Sequence, residues 1–185
     1  MNLKKIKIIL IHGNGGGTAE DNWFPYLKKE FEQLGIKVVA KTFPDNDLAR
    51  EKYWLPFLKN ELGTDENTII IGHSSGAVVA MRFAEENKVL GSVLVSACYT
   101  DLGDEKEKIS GYYNRPWNWQ AIMENQKWII QYASVDDPYI PISEAHYVRD
   151  HLNSQYFEYA DQKHFYPKFD FPEIVQVVKK KLGIK

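Results

Sequence analysis

One run of β-branched residues that leads into Gly-x-Ser-x-Gly constrains this chain more than any other stretch. Ile69–Ile71 is followed directly by Gly72–Gly76, whose central residue is Ser74, and then by a helical pattern of small residues. A buried strand, a sharp turn and a helix are therefore predicted in succession. The backbone at such a turn is strained and crowded, and glycines two positions to either side of the serine relieve the crowding. Ser74 is thus predicted to project from the end of a strand, where its hydroxyl is available as a nucleophile.

Length and composition favour a single domain that acts on a small molecule. The chain has 185 residues, of which 44% are hydrophobic, which is enough for a sizeable core, and we assign residues 1–185 to one domain. A net charge of −2 disfavours nucleic acid as a partner, because nucleic-acid binding requires a clearly basic face. No apolar run approaches the ~18 residues that a membrane-spanning helix needs, so no membrane partner is predicted.

Cysteine usage and the first residues favour the cytoplasm. Cys98 is the only cysteine in the sequence, which excludes an internal disulfide framework. The first apolar run, Ile8–Ile11, is shorter than the roughly 7–15 residues of a signal-peptide core. Neither His-x-x-x-His nor Cys-x-x-Cys occurs, so we expect neither a metal nor another cofactor.

Segments of strand pattern alternate with segments of helix pattern along the whole chain. The predicted strands are Lys5–Ile11, Ile36–Thr42, Thr68–Ile71, Gly91–Ser96, Lys127–Ala133 and Gln155–Tyr159. Such alternation predicts an α/β fold, a three-layer α/β/α sandwich with a mostly parallel sheet of about six strands. Ligands of such sheets bind at the carboxyl ends of the strands. The excursion over residues 101–126 is too short for a large lid.

The helix after the second strand carries two local predictions. Asp47 is a candidate N-cap for a helix that runs from Leu48 towards Leu62. Pro56 lies inside this span, and proline interrupts a helix, so a kink or two short helices are expected.

An acid and a base follow Ser74 in the order that is typical of α/β-hydrolases. Asp136 and Asp137 both follow the fifth strand. Asp137 stands four residues before Pro141, a spacing familiar from the triad acid of these hydrolases, so we choose it and interpret Asp136 as a solvated or turn-forming neighbour. His164 follows the sixth strand in a polar loop, where the fold requires the base.

The other four histidines have less favourable positions for general base catalysis. His12 and His73 adjoin the catalytic loops and are interpreted as residues that shape these loops by hydrogen bonds. His146 and His151 lie on a predicted helix away from the loop tips.

An oxyanion hole requires two backbone N–H groups near the nucleophile. Ser75, directly after Ser74, supplies one, and by position Asn14 in the glycine-rich loop after the first strand supplies the other. Two alternatives remain for this loop: a flexible turn, or a phosphate-binding loop. The dinucleotide pattern is incomplete, because Thr18 stands where glycine or alanine belongs and the second strand ends near Lys41 instead of an acidic residue.

Aromatic residues in the later loops are candidates for the substrate pocket. Tyr113 and Trp117 belong to the aromatic segment Tyr112–Trp119, and Phe165 follows the predicted base. The alternative is that this aromatic segment only packs onto the core, since aromatic side chains dominate core energetics.

Five strings that are more specific than the serine motif occur along the chain. They are Gly13–Gly17, Trp54–Phe57, Ile69–Ala77, Asp101–Glu105 and Arg115–Trp117. In these strings the sequence resembles the retinoblastoma-binding protein nine family of small serine hydrolases, nearly from end to end. The resemblance implies a compact α/β-hydrolase whose triad is Ser74, Asp137 and His164.

The resemblance departs from the animal relative at the string for which that relative is named. Leu-x-Cys-x-Glu engages the retinoblastoma pocket, whereas the corresponding residues here are Leu62–Glu66, with Thr64 in place of cysteine. Retinoblastoma-type binding is therefore not supported.

The sequence leads to one functional hypothesis with two rivals. The hypothesis is a serine hydrolase that cleaves a small ester, thioester or amide, carboxylesterase-like, with amidase and aminopeptidase activity as variants. The rivals are a hydrolase-fold protein-interaction module with little turnover, and a nucleotide-binding α/β protein.

Overall fold

Six parallel strands form a single sheet at the centre of the molecule. The computed structural model describes residues 3–184. The strands are β1 (Lys7–Ile11), β2 (Lys37–Ala40), β3 (Thr68–His73), β4 (Gly91–Val95), β5 (Ile129–Ser134) and β6 (Gln155–Tyr159). Their order across the sheet is β2-β1-β3-β4-β5-β6, and every neighbouring pair is parallel. The predicted fold class is thereby confirmed.

Helices cover both faces of the sheet. They are α1 (Phe24–Gln33), α2 (Glu51–Pro56), α3 (Ser75–Glu86), α4 (Glu105–Ser110), α5 (Trp119–Glu124), α6 (Ile142–Leu152) and α7 (Pro172–Leu182). Helices α1 and α7 contribute buried side chains to one apolar cluster, with Ile8, Leu10 and other side chains of one sheet face. Helices α2, α3, α5 and α6 contribute to a second cluster around Ile9, Ile11 and Ile70 on the opposite face. Because successive strand residues point to opposite faces, the central strands β3, β4 and β5, which are buried along their whole length, are covered on both sides.

The sheet register brings several loops to one edge. Ile11 pairs with Gly72, and His73 pairs with Val95, so β1, β3 and β4 end at nearly the same level. In a parallel sheet all strands point the same way, so the loops that leave these ends lie side by side. The loops after β1, β3, β4, β5 and β6 therefore surround the start of α3.

The helix around Pro56 is divided, as its proline predicts. Helix α2 ends at Pro56, and a π-helical turn, Phe57–Glu61, follows it. The expectation that Asp47 caps this helix is wrong, because α2 begins at Glu51, after Arg50. The carboxylate of Asp45 instead accepts hydrogen bonds from the backbone and side chain of Arg50.

Buried Arg82 fastens the excursion between β4 and β5 onto the body of the domain. This side chain of α3 is 1% exposed and donates to the carbonyl groups of Tyr112, Arg115 and Pro116. It also forms an ion pair with Glu85. The excursion thus carries only α4, α5 and a fixed aromatic segment, which agrees with the expected absence of a large lid.

None of the helices within residues 3–184 is long and apolar enough to cross a membrane.

Candidate active site

Ser74 sits on a strained turn between β3 and α3. Its backbone has φ 56° and ψ −121°, a region that non-glycine residues rarely adopt. A Cβ atom on Gly72 would collide with the carbonyl group of Gly76, and one on Gly76 would collide with the carbonyl group of Ile11. Only glycine fits at both positions, which is the physical reason for the Gly-x-Ser-x-Gly pattern.

Two backbone N–H groups flank the serine. Ser75 is the first residue of α3, where the backbone N–H has no intrahelical acceptor. The loop after β1 approaches from the other side, since a Cβ built on Gly13 would lie 3.2 Å from the Cβ of Ser74. Asn14 follows Gly13, and within residues 3–184 its N–H makes no backbone hydrogen bond. Both predicted oxyanion donors are therefore close to Ser74 in the fold.

Asp137 and His164 form a buried pair at the same edge of the sheet. The Nδ1 atom of His164 lies 2.8 Å from Oδ2 of Asp137. The carboxylate also accepts hydrogen bonds from the hydroxyl of Ser96 and from the N–H groups of Tyr139 and Ile140. Burial by itself raises the pKa of Asp137, but the hydrogen bond and the charge of His164, together with the two N–H donors, outweigh burial and leave the pKa below its ordinary value.

Asp136 has a different environment from its neighbour. Its Oδ1 accepts hydrogen bonds from the Ser134 hydroxyl at 2.6 Å and from the backbone N–H of Lys163 at 2.7 Å. Asp136 therefore ties the loop that carries His164 to the end of β5 and does not contact the imidazole.

His73 binds the backbone of His164 through a hydrogen bond. The Nε2–H of His73 donates to the backbone carbonyl of His164 at 2.8 Å, and the two rings lie 4.7 Å apart. Burial lowers the pKa of His73 to about 3, with the neighbouring charge of His164 acting in the same direction. His73 is therefore neutral at physiological pH and holds the loop by a hydrogen bond.

His12 holds the loop that carries Asn14. Its Nε2 accepts the backbone N–H of Phe43 at 2.8 Å, so the proton is on Nδ1, which donates to the Gly13 carbonyl at 2.7 Å. Burial lowers the pKa of His12, although the Gly13 carbonyl and Asp21 oppose this shift.

His146 and His151 lie on α6. Neither contributes to the cavity that contains Ser74.

A cavity of about 820 Å³ opens above Ser74 and His164. Its wall includes the glycine-rich loop Gly13–Gly17, the thiol-bearing Cys98, and the aromatic side chains of Tyr139 and Tyr166. The ring of Tyr139 stands 5.0 Å from that of His164 and is two-thirds exposed, so it forms part of the rim. Glu107 of α4 also belongs to this wall, and burial raises the pKa of its carboxyl above the ordinary value.

The structure does not bring the three predicted pocket residues to the wall of this cavity. Phe165 is fully buried and stacks on Phe171 in the core beside α7. Trp117 packs beneath the guanidinium of Arg82, 3.5 Å from the ring centroid. Tyr113 lies behind the wall, where its hydroxyl donates to Glu107. The wall is therefore formed by other residues, and for Trp117 the packing alternative describes its position.

Several groups that support the site carry only a weak signal in the sequence. Ser96, with φ 51°, follows the end of β4, which is the one clue that it lies near the other loops. Glu144 of α6 accepts hydrogen bonds from the N–H groups of Tyr99 and Thr100 and so fixes the loop after β4. Glu107 looks like an exposed helix charge, and only the tertiary contact with Asn14 distinguishes it.

The glycine-rich loop is less suited to a phosphate than its composition indicates. The N–H groups of Gly15 and Gly16 donate to the carbonyl groups of Asp47 and Asn46. Phosphate-binding loops need such amides to be free. This arrangement disfavours the nucleotide-binding rival.

Comparisons with known proteins identify relatives of this chain among the serine hydrolases. The family model described as "Serine hydrolase" matches residues 8–180. The chain is 47% identical to serine hydrolase RBBP9 of Rattus norvegicus over 178 residues, which cover 95% of each protein.

Solved structures share the fold. The product of the ydeN gene of B. subtilis superimposes with a TM-score of 0.87 at 24% identity, covering 96% of this chain and 99% of that one. The esterase RhEst1 of Rhodococcus sp. ECU1013 superimposes with a TM-score of 0.66 at 14% identity, covering 96% and 90%.

Proposed function

Because the chain belongs to the serine hydrolase family, we propose that it cleaves a small ester, thioester or amide through an acyl-enzyme on Ser74. The resemblance to the retinoblastoma-binding protein nine family is confirmed by the identity over nearly the whole chain. The observation that carries the proposed mechanism is the buried pair of His164 and Asp137, 2.8 Å apart, because His164 lines the same cavity as Ser74.

In the first step Ser74 attacks the substrate carbonyl. His164 takes the hydroxyl proton on Nε2 while the Ser74 oxygen forms the new bond to carbon. Asp137 keeps the Nδ1 proton in place and stabilises the imidazolium that forms. Return of the Nε2 proton to the leaving group lets the carbon–heteroatom bond break, and the acyl group stays on Ser74.

The negative charge on the carbonyl oxygen requires donors that are already in position. The backbone N–H groups of Asn14 and Ser75 are suited to this role, because neither is used by regular structure. Each such donor is worth roughly 10²–10³ in turnover.

In the second step a water molecule repeats the attack on the acyl group. His164 removes a proton from the water and then protonates the Ser74 oxygen as the acyl bond breaks. The products are a carboxylic acid and the free enzyme, so the reaction needs no cofactor.

The size of the site supports small substrates. A cavity of about 820 Å³ lies in the range of small-molecule sites, and the excursion after β4 carries only two short helices. We assign a carboxylesterase-like activity, with amides and peptides as the alternative substrates to be tested. The buried thiol of Cys98 is compatible with a reducing cytoplasm.

Labelling with a fluorophosphonate probe tests this proposal. The wild-type protein should label, and Ser74→Ala should not, with its melting temperature nearly unchanged. A wild type that fails to label, or a Ser74→Ala variant that labels equally, would overturn the proposal. Labelling without turnover of any ester, thioester or peptide substrate would favour the protein-interaction module instead.

A further inference from the structure

The side chain of Asn14 crosses from the glycine-rich loop to α4. Its Nδ2 donates to Oε1 of Glu107 at 2.6 Å, over a sequence separation of 93 residues. This contact joins the loop after β1 to the excursion after β4, and Glu107 and Asn14 both line the cavity that holds Ser74.

The carboxyl group of Glu107 is also bound by a residue outside the cavity wall, Tyr113. Its Oε2 accepts the hydroxyl proton of Tyr113 at 3.2 Å, and the Tyr113 hydroxyl lies 3.2 Å from the Sγ atom of Cys98. Its helix is fixed at the start by Asp104, whose carboxylate accepts the N–H groups of Lys106 and Glu107. The carboxyl group of Glu107 therefore has a defined position before any substrate enters.

The segment at residues 46–47 holds the glycine-rich loop on its other side. Gly15 and Gly16 donate to the segment at residues 46–47, and the side chain of Asn46 donates to the carbonyl group of Gly17. These bonds hold the loop after Asn14, whereas His12 holds the carbonyl group of Gly13 before it. The bond to Glu107 fixes Asn14 itself, between these two anchors.

We propose that Glu107 is a positioning residue of the oxyanion hole, which binds the side-chain amide of Asn14 and thereby aims the backbone N–H of Asn14 at the carbonyl oxygen bound over Ser74. This inference rests on the proposed function. A displacement of about 1 Å at such a donor is enough to lower turnover considerably.

The role requires a hydrogen-bond acceptor at residue 107 and not a negative charge. Charged groups around this carboxyl are Asp101, Asp104 and Lys106 from its own segment, and Asp21, which lines the same cavity. The neutral hydroxyl of Tyr113 contacts the carboxyl, and the thiol of Cys98 contacts that hydroxyl. A carboxylate here repels the developing oxyanion, and burial together with Asp104 and Asp101 raises the pKa of Glu107. Glutamine keeps the acceptor and removes the charge.

Steady-state kinetics on three variants provide the first test. Glu107→Ala should lower kcat by about 10- to 100-fold, less than the roughly 10²–10³ for outright loss of a donor, with KM changed by less than about twofold. Glu107→Gln should stay within about threefold of wild type in kcat. Glu105→Ala, an exposed change on the same helix, is the matched control and should leave both constants unchanged. A rise in KM alone, or equal losses for Gln and Ala, would overturn the proposal.

A double-mutant cycle with Asn14 provides the second test. If Glu107 acts through Asn14, Glu107→Ala should cost little further kcat once Asn14→Ala is present. Multiplicative losses would mean that the two residues act independently, and the proposal would then be wrong.

The backbone amide signal of Asn14 in NMR spectra separates this inference from the proposed function. Glu107→Ala should shift or broaden this signal and leave that of Ser75 in place, whether or not the protein has hydrolase activity. If Glu107→Ala leaves the Asn14 signal unchanged while the wild-type protein labels at Ser74, the positioning role alone is refuted. If Glu107→Ala does not fold, Tyr113→Phe takes its place in the same measurements, because it removes the hydrogen bond from the Tyr113 hydroxyl to the carboxyl of Glu107.

Discussion

The Nδ1 atom of His164 and the Oδ2 atom of Asp137 lie 2.8 Å apart, although 27 positions separate the two residues in the chain. The adjacent carboxylate, Asp136, is bound instead to Ser134 and to the backbone of Lys163. The two neighbouring aspartates thus make different contacts. Asp137 binds the imidazole of His164, and Asp136 binds the loop that carries His164.

Asp137→Asn should lower kcat by about 10⁴-fold, because an amide no longer fixes the proton of His164 on Nδ1. Asp136→Asn is the matched comparison and should cost much less than this, since Asp136 does not contact the imidazole. Ester hydrolysis of both variants at pH 7.5 provides the measurement. Equal losses would mean that the choice between the two acids is wrong.

Gly13→Ala and Gly15→Ala should separate crowding from backbone strain. A methyl group at residue 13 would approach the Cβ of Ser74 to 3.2 Å and its Oγ to 3.7 Å, so we expect about a tenfold loss of kcat/KM with little change in stability. At Gly15 the space is open but φ is +68°, so alanine should cost about 1 kcal/mol of stability, the ordinary penalty for a left-handed backbone, and little activity. Kinetics and urea unfolding of both variants test this contrast, and a reversed pattern would contradict it.

His73 makes stability dependent on pH. Its pKa is about 3 in the folded protein and about 6.5 in the unfolded chain, so the unfolded state binds more protons between these values. The free energy of unfolding therefore falls as the pH is lowered through this window, with a slope of up to about 1.4 kcal/mol per pH unit from this residue. Between pH 6.5 and 5.0 this amounts to about 1.6 kcal/mol, because the slope is only half its maximum at pH 6.5.

His73→Gln keeps a side-chain donor but does not titrate. Urea unfolding at several pH values should therefore give a shallower slope for the variant than for the wild type, by about one proton. The contribution of His12 is common to both proteins and cancels in the comparison. Parallel slopes would show that His73 does not carry this dependence.

Arg82→Met should destabilise the protein by about 3–5 kcal/mol, the usual cost of removing one partner from a buried ion pair. It removes the 2.6 Å ion pair of Glu85, which keeps only the longer one to Arg115 at 3.5 Å. It also frees the carbonyl groups of the excursion, so protease cleavage within residues 111–118 should become faster. Lys108→Met removes an exposed ion pair with Glu105 and is the control, with a change of at most about 1 kcal/mol. Equal urea midpoints for the two variants would refute this account.

Patterns that are local along the chain predicted the fold well. The bounds of α6 and β6 agree with the residues expected from periodicity and turn signals, and Pro56 divides its helix as proline chemistry requires. The N-cap prediction for Asp47 failed because the helix begins later, with Arg50 as its N-cap residue, and Arg50 is held by the carboxylate of Asp45. Asp45 and Ala49 both adopt positive φ, so the chain turns sharply and the helix begins only at Glu51.

The sequence by itself determined the strand–serine–helix turn, the alternation of strands and helices, and hence the edge of the sheet where Ser74, Asp137 and His164 meet. These features follow from backbone sterics and hydrophobic periodicity, which act over a few residues. Only the tertiary structure decided that Phe165 and Trp117 are packed away from the cavity, and that Glu107 reaches Asn14. Those outcomes depend on side-chain directions and on contacts between residues tens of positions apart, and local patterns carry no information about either.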